Sequence, residues 1–505
     1  MRFIFIILFI LAGCREAPQN AAHDKDVITR LSDSEISGLD PQKVSDLSSL
    51  RIAMDQFEGL VRFDAGGKPI AGLAQSWSVS EDGLTWRFKL KSGIIFSDDV
   101  PIRAHHFTRG FDRLYADATA SPHLALFDII GSVKESGNDV VITLKSPFPQ
   151  LLELLAHPAM AALPLHAMDK DWTAMRPMIS SGPYQLSKWQ LGDELLLEPN
   201  PKWHDERGHD KNISWKVMSD SVTAMRTFLS GAADTTSDVP PNRLPSLRDN
   251  ESLKIGEFLG TYYYAYNTRK EPFDDVRVRK ALSMVIDRDW IADELMKSGN
   301  TPAFGLLPSD LMDGAIYRPA WAGWSIQKRQ AEARKMLAQA GYNNDKPLRF
   351  EIRFNSSNEH RRASVAMASM WRDIGAEVAL LNSEASLHFA SLRRHDFTLA
   401  RSGWIADIAA PENFLNVHRI SAGASNYSGF DDAQYEKLLE DASQESDPLK
   451  RMVKMRNAEA YLMEQAPIIP LYHYVSRALV SKRLNGWRNN ISNIHPSISL
   501  IKGQQ

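Results

Sequence analysis

Apolar positions along this chain switch repeatedly between helical spacing and strict alternation, which predicts short strands in series with helices. Ala333, Met336, Leu337 and Ala340 form one helical face, and Gly341 supplies its C-terminal cap. Pro347 then breaks the chain, and Leu348, Phe350, Ile352 and Phe354 alternate as a strand. Ala363, Ala366, Met367, Met370 and Ile374 return to helical spacing, closed by Gly375. Glu377 to Leu381 and Phe397 to Arg401 read as two further strands. A last helix is predicted from Asp447-Pro448, a cap residue followed by proline at the first helical position, to just before Pro467. Tyr472, His473 and Tyr474 open an apolar strand that runs to Val480.

Strand, helix and strand in succession predict an α/β fold with a mixed or parallel sheet and helices on its faces. Such sheets bind ligands beyond the carboxyl ends of their strands. Arg401, Trp404 and Asp407 follow the predicted strand 397–401, so position alone makes them ligand candidates. The chain has 505 residues, too many for one core, and is expected to fold as two or three lobes. Apolar residues at 43%, charged residues at 24% and a formal charge of −3 are ordinary for a globular protein and give no basic surplus for nucleic acid.

The first residues depart from this pattern. Met1-Arg2 precedes the apolar run Phe3 to Ala12, then Gly13 and Cys14. A positive start, a short apolar stretch and small residues before a cut describe a secretory signal, too short to span a bilayer. Leu11-Ala12-Gly13-Cys14 resembles a lipobox, so residues 1–13 are expected to be removed and Cys14 lipidated. Residues 14–21 would then tether the folded body to a membrane through lipid alone. Arg15 after Cys14 leaves inner and outer membrane both open. Cys14 is the only cysteine, so the folded body has no disulfide and no thiolate chemistry.

The chain carries no His-Glu-x-x-His helix, no Gly-x-Ser-x-Gly elbow and no phosphate loop. His105-His106, and His204 with His209, lack a matching acidic or cysteine partner and read as surface histidines. No metal or other cofactor is expected.

Several blocks resemble the family 5 solute-binding proteins of peptide ABC importers, its oligopeptide-binding members above all. They are Leu39-Asp40-Pro41 with Phe57-Glu58-Gly59-Leu60-Val61, and Leu73-Ala74-Gln75-Ser76-Trp77 running on to Phe96-Ser97-Asp98-Asp99. Gly182-Pro183-Tyr184 follows, then Gly260-Thr261-Tyr262-Tyr263-Tyr264 with Pro272-Phe273-Asp274-Asp275. Ala400-Arg401-Ser402-Gly403-Trp404-Ile405-Ala406-Asp407 and Pro470-Leu471-Tyr472-His473-Tyr474 complete the set. Each block is weak alone, but their order covers nearly the whole mature chain.

The resemblance implies a class II periplasmic-binding-protein fold with a hinge. Lobe I would comprise 22–57, 182–259 and 476–505, lobe II the insertion 58–181, and lobe III 260–475. A monomer would enclose a short peptide between lobes I and III and deliver it to a permease. It implies Asp407 as the ligand of the peptide amine, and Arg401, His360, and Arg393 or Arg394 as carboxylate ligands. Tyr263, Tyr474, Trp404 and His123 would line the cleft, and the main chain of Ser237, Asp238 and Val239 would pair with the peptide backbone. The chain departs from the family pattern at Gly260 and Ile405, where paired cysteines stand in relatives. It departs also at Ser45, His123, Ala385 and Met296, so side-chain preference does not carry over. A murein tripeptide, an opine, a nickel complex or haem are rival solutes; a periplasmic peptidase and a chaperone-like or sensor role are further rivals.

Overall fold

The computed structural model describes residues 26–168, 171–205, 210–312 and 314–503. The signal, Cys14, the tether and His209 lie outside the described residues. No helix among the described residues is long and apolar enough to cross a membrane.

Three sheets organise the molecule. In the first, Val27–Ser32 runs parallel to Asn212–Val217, and Glu194–Pro199 and Tyr184–Gln190 add antiparallel. The second is an antiparallel meander-like sheet ordered Ala74–Val79, Thr85–Leu90, Asp139–Leu144, Ile130–Ser136. One continuous core joins them, running from Ile28 and Trp215 through Phe57 and Leu60 to Phe88 and Ile142.

The third sheet has six strands, ordered Thr301–Pro302, Ile468–Leu479, Leu253–Tyr266, Leu399–Ile405, Leu348–Asn355, Ala376–Ser383. The strands 348–355, 376–383 and 399–405 are parallel, so their carboxyl ends share one edge of the lobe. Helices Ile326–Gln339, Asn358–Arg372 and Pro448–Gln465 fall where the apolar spacing predicts them. Asp447 caps the last of these by accepting the Leu449 and Lys450 N–H groups. The pleat sends Tyr262, Tyr264 and Tyr266 into one core and Tyr263 and Ala265 into another on the opposite face.

Leu253–Tyr266 and Ile468–Leu479 are long enough to belong to two bodies. Residues 253–257 pair with 475–479 beside the first sheet, where Thr236 N–H bonds the Leu479 carbonyl at 3.0 Å. Residues 261–265 pair with 468–473 inside the third sheet, and the register breaks between Glu257 and Thr261. A break in the ladder at the crossing point is where a pair of strands bends most easily. Gly260 sits in that break opposite Ile405. A Cβ there would lie 2.6 Å from the Tyr474 ring, and one on Gly403 would lie 3.0 Å from its hydroxyl oxygen. The two glycines therefore make the space in which Tyr474 lies.

Behind this sheet the buried carboxylate of Glu459 accepts the Leu306 and Leu307 N–H groups, each at 2.8 Å. Burial pushes its pKa up to about 7, against those two bonds. An acid raised in the folded state favours folding while protonated, so its penalty grows as pH climbs from its unfolded value of about 4.5 through 7. Glu459→Gln keeps an acceptor without the charge. It is expected to stabilise the protein at pH 8 by up to about 3 kcal/mol and to change little at pH 5. Denaturant midpoints at the two pH values check this; equal shifts at both contradict it.

Candidate functional site

The strand Leu399–Ile405 is longer than its apolar pattern suggests, so Arg401 and Trp404 lie on it and Asp407 lies beyond its carboxyl end. Trp404 Nε1–H donates to Asn413 Oδ1 at 3.1 Å, and the Asp407 backbone N–H lies 3.4 Å from the same oxygen. Asn413, on the short helix Pro411–Leu415, thus fixes the loop that carries the acid. Asp407 is exposed to water at its surface, with Asn413 and His123 beside it. Burial raises its pKa, against the opposing pull of the Asn413 amide and of His123.

His123, just before the short helix Leu124–Phe127, faces it. The imidazole is 7% exposed, bonds the Val44 carbonyl through Nε2 at 2.8 Å and meets the His157 ring edge-on at 4.6 Å. Burial lowers its pKa, while the Val44 carbonyl and Asp407 pull it up. Ile408 next to the acid packs on the core shared by the first and second sheets. Asp407 therefore lies where the third sheet's loop meets the core of the other two sheets.

Arg401 lies further along the same wall. Its guanidinium is 4.8 Å above the Tyr262 ring, donates to the Tyr474 hydroxyl at 3.2 Å and reaches Asn355 Oδ1 at 3.5 Å. It forms no ion pair among the described residues, and its buried Nε finds no acceptor there. A half-buried cation held by neutral groups alone is a place for an anion. His360 stands beside it, with Nδ1 at 3.1 Å from the Tyr262 hydroxyl. Burial, then the repulsion of Arg401, lowers the His360 pKa to about 3, so it is a neutral hydrogen-bonding group. An open groove of about 660 Å³ is lined by Pro241, Asn242, Glu294, Lys297, Asn358 and Glu359.

Other expected residues fall elsewhere. Arg393 and Arg394 are exposed at the C-terminal end of the helix Ala385–Arg393. That helix meets Arg401 at His388, whose Nε2 lies 2.9 Å from the Arg401 carbonyl, and Arg393 follows about 8 Å further down its axis. Tyr263 is 2% exposed and faces the opposite side of the sheet; Tyr262 takes the place beside Arg401. The Val239 side chain is fully buried in a small core of its own, so only its main chain is on offer. The main-chain groups of Ser237, Asp238 and Val239 make no hydrogen bond among the described residues. The Ser237 hydroxyl donates to the Leu31 carbonyl, and Asp238 pairs with Arg477 at 3.1 Å, which pins this free edge beside the hinge strands. Asn413 and Tyr262 were not singled out by the sequence. Among the described residues no group of three or more His, Cys, Asp or Glu side chains is placed to hold a metal. His106 is buried rather than on the surface, and His204 bonds Glu58 at 2.7 Å.

A pair of long strands joins two bodies, and an acid and a cation without an ion-pair partner among the described residues lie on one strand and the loop after it. The comparisons with known proteins agree. The model of the bacterial extracellular solute-binding proteins, family 5 (middle), matches residues 68–426, and the chain belongs to that family. It is 32% identical over 500 residues to the periplasmic oligopeptide-binding protein OppA of Salmonella typhimurium, covering 94% of this chain and 92% of that one. The fold superposes on the murein tripeptide-binding protein MppA in its unliganded open form with a TM-score of 0.85, at 29% identity over 95% of this chain and 98% of that one. Against the Haemophilus influenzae OppA complex with the peptide RPPGFSPFR the score is 0.76, at 27% identity over 95% and 99%. The conformation described here thus matches the open form better than the peptide complex.

Proposed function

We propose that this chain is an extracytoplasmic binding protein that captures short peptides in the gap between lobes I and III and delivers them to an ABC importer. The lobes are divided at 57/58, 181/182, 259/260 and 475/476, as the sequence blocks suggest. The observation that carries the reading is the pairing of Asp407 with Arg401 on one strand and the loop that follows it. The amine of a peptide would meet Asp407, its carboxylate would meet Arg401 with Tyr474 and His360, and the free main chain of residues 237–239 would pair with its backbone. From Arg401 to Ile405 the strand advances about 13 Å, the reach of an extended peptide of about four residues. Trp404 and His123 would flank the first residue of the ligand. In the cell, Cys14 would hold the protein to a membrane facing the periplasm, and it would work as a monomer.

The reading is one of capture without chemistry: the gap offers an acid, a cation and a backbone edge, and the ligand leaves unchanged. Native mass spectrometry of the purified protein tests it. The expected result is bound species with masses of short peptides, released intact on unfolding. A murein tripeptide would use the same acid and cation, and the likeness to MppA makes it the second reading; its D-amino acid and diaminopimelate masses distinguish it. A haem, a nickel complex or cleaved fragments in the gap would contradict both.

A further inference from the structure

We propose that the C-terminal loop 484–502 positions Asp407 by capping the strand edge at which the chain turns toward it, an inference that rests on the reading of Asp407 as the amine ligand. The loop is closed at its base, where Leu484–Asn485 pairs antiparallel with Ile501–Lys502. Its returning limb is fastened from within. Ser497 donates its N–H and its hydroxyl to Asp55 at 2.9 and 2.6 Å, and the same hydroxyl accepts from Arg30 at 2.6 Å. Asp55 and Arg30 are both buried. Trp487, Ile494 and Ile498 pack on the core shared by the first and second sheets, and His495 stacks on Trp487 at 3.7 Å.

The tip, residues 489–491, reaches from that base to the strand Leu253–Tyr266. The Asn489 side-chain amide donates to the Ile255 carbonyl at 2.7 Å, and the Ile491 carbonyl accepts the Leu259 N–H at 2.9 Å. The Ile491 side chain packs on the core that holds Leu259 and Tyr263. Backbone groups of alternate residues point to one edge of a strand, so Ile255 and Leu259 offer the same edge. Further along, the strand Leu399–Ile405 occupies that edge, from Tyr266 opposite Leu399 to Gly260 opposite Ile405. Its last rung is the Ala406 N–H, which donates to the Leu259 carbonyl at 2.8 Å. In an uninterrupted antiparallel pair the Leu259 N–H would take the Ala406 carbonyl in return. Here the Ile491 carbonyl takes it, and Asn489 covers the edge again at Ile255. The chain cannot run on along this edge after Ala406, and the residue at which it turns away is Asp407.

The turn is held on its far side as well. Ile408 packs on the same core as Trp487 and Ile494, and Asn413 holds Trp404 and the Asp407 N–H. The acid thus sits between the loop tip, acting through Leu259 and Ala406, and Asn413. A binding group works only when its supports keep it within about 0.5 Å of the productive geometry. Ile491 and Asn489 are therefore positioning residues: they act on the acid through the strand edge, and their own contacts are with Ile255 and Leu259.

The test compares three full-length proteins: wild type, Ile491→Ala combined with Asn489→Ala, and Ile491→Val, which keeps most of the apolar contact. Amide hydrogen exchange is first read by mass spectrometry without ligand. The double variant is expected to exchange at least tenfold faster at residues 405–408, with the strand Leu348–Asn355 unchanged and Ile491→Val close to wild type. Calorimetry with a tripeptide and its N-acetylated form is the second readout. The double variant is expected to bind the free peptide at least tenfold more weakly and the acetylated one as wild type does, whereas a fold loosened throughout would weaken both alike. Unchanged exchange at 405–408, or faster exchange with the wild-type ratio of free to acetylated affinity, overturns the proposal. A wild-type protein that binds both peptides equally removes the amine reading instead, and the exchange rates then decide whether the loop caps the edge.

Discussion

Replacing Asp407 by alanine is expected to lower peptide affinity by roughly a hundred- to several-thousand-fold in calorimetry. The size follows from closure. In the open form the carboxylate is exposed to water and opposed by His123, so its removal costs the ligand-free fold little. In the closed form it would neutralise an ammonium ion withdrawn from solvent, and stranding that ion costs about 3–5 kcal/mol, at about 1.4 kcal/mol per tenfold in affinity. The two states therefore separate: Tm without ligand within about half a kcal/mol of wild type in stability terms, affinity all but abolished. Because the amine needs the ionised carboxylate, wild-type affinity should also weaken as pH falls through the raised pKa of Asp407. An Asp407→Ala protein that binds as wild type would remove the acid from the account.

Arg401→Gln is the second large effect. The guanidinium lies half-buried with no acid paired to it among the described residues, over Tyr262 and against the Tyr474 hydroxyl. Removing it should leave the ligand-free protein equally or more stable, since an unbalanced charge leaves a poorly hydrated site. Losing one member of a desolvated charge pair costs about 2–5 kcal/mol of binding. Tyr474 and His360 remain as donors, so a loss of roughly thirty- to a hundred-and-fiftyfold is expected, near 2–3 kcal/mol at about 1.4 kcal/mol per decade. The loss should fall on free-acid peptides and nearly vanish for C-terminal amides, the coupling that a double-mutant cycle isolates. Equal losses for both ligand classes would take the carboxylate away from Arg401.

Much of this was legible in the sequence where local chemistry decides the outcome. Asp447-Pro448 starts a helix because a side-chain cap and a proline act within one turn. The position of Asp407 past a strand end was readable for the same reason, since the apolar run stops before it. What failed depended on partners distant in sequence. Strand 399–405 was read too short because Arg401, Ser402 and Gly403 interrupt its apolar pattern, while antiparallel pairing with 260–266 holds them extended. The run Tyr262-Tyr263-Tyr264 has no polar alternation, so nothing local says which ring faces Arg401; the register with 399–405 does. Arg393 and Arg394 were placed by resemblance alone, and they stand exposed at the C-terminal end of the helix Ala385–Arg393. Asn413 drew no notice because its task, holding Trp404 and the Asp407 loop, exists only after the chain turns at Pro411. His106 was read as a surface residue because its surroundings in the sequence are polar and offer no matching acidic or cysteine partner; the backbone of Arg103 and the ring of Phe96 bury it.

The capture of a charged amine bears the weight of the whole account, and chemistry on the ligand probes it without altering the protein. Calorimetry would compare one tripeptide with its N-acetylated form, equal in backbone and side chains but for the lost positive charge. The account predicts that acetylation weakens binding at least a hundredfold to the wild-type protein and hardly at all to Asp407→Ala. Equal affinity of the free and acetylated peptides for the wild-type protein would contradict it.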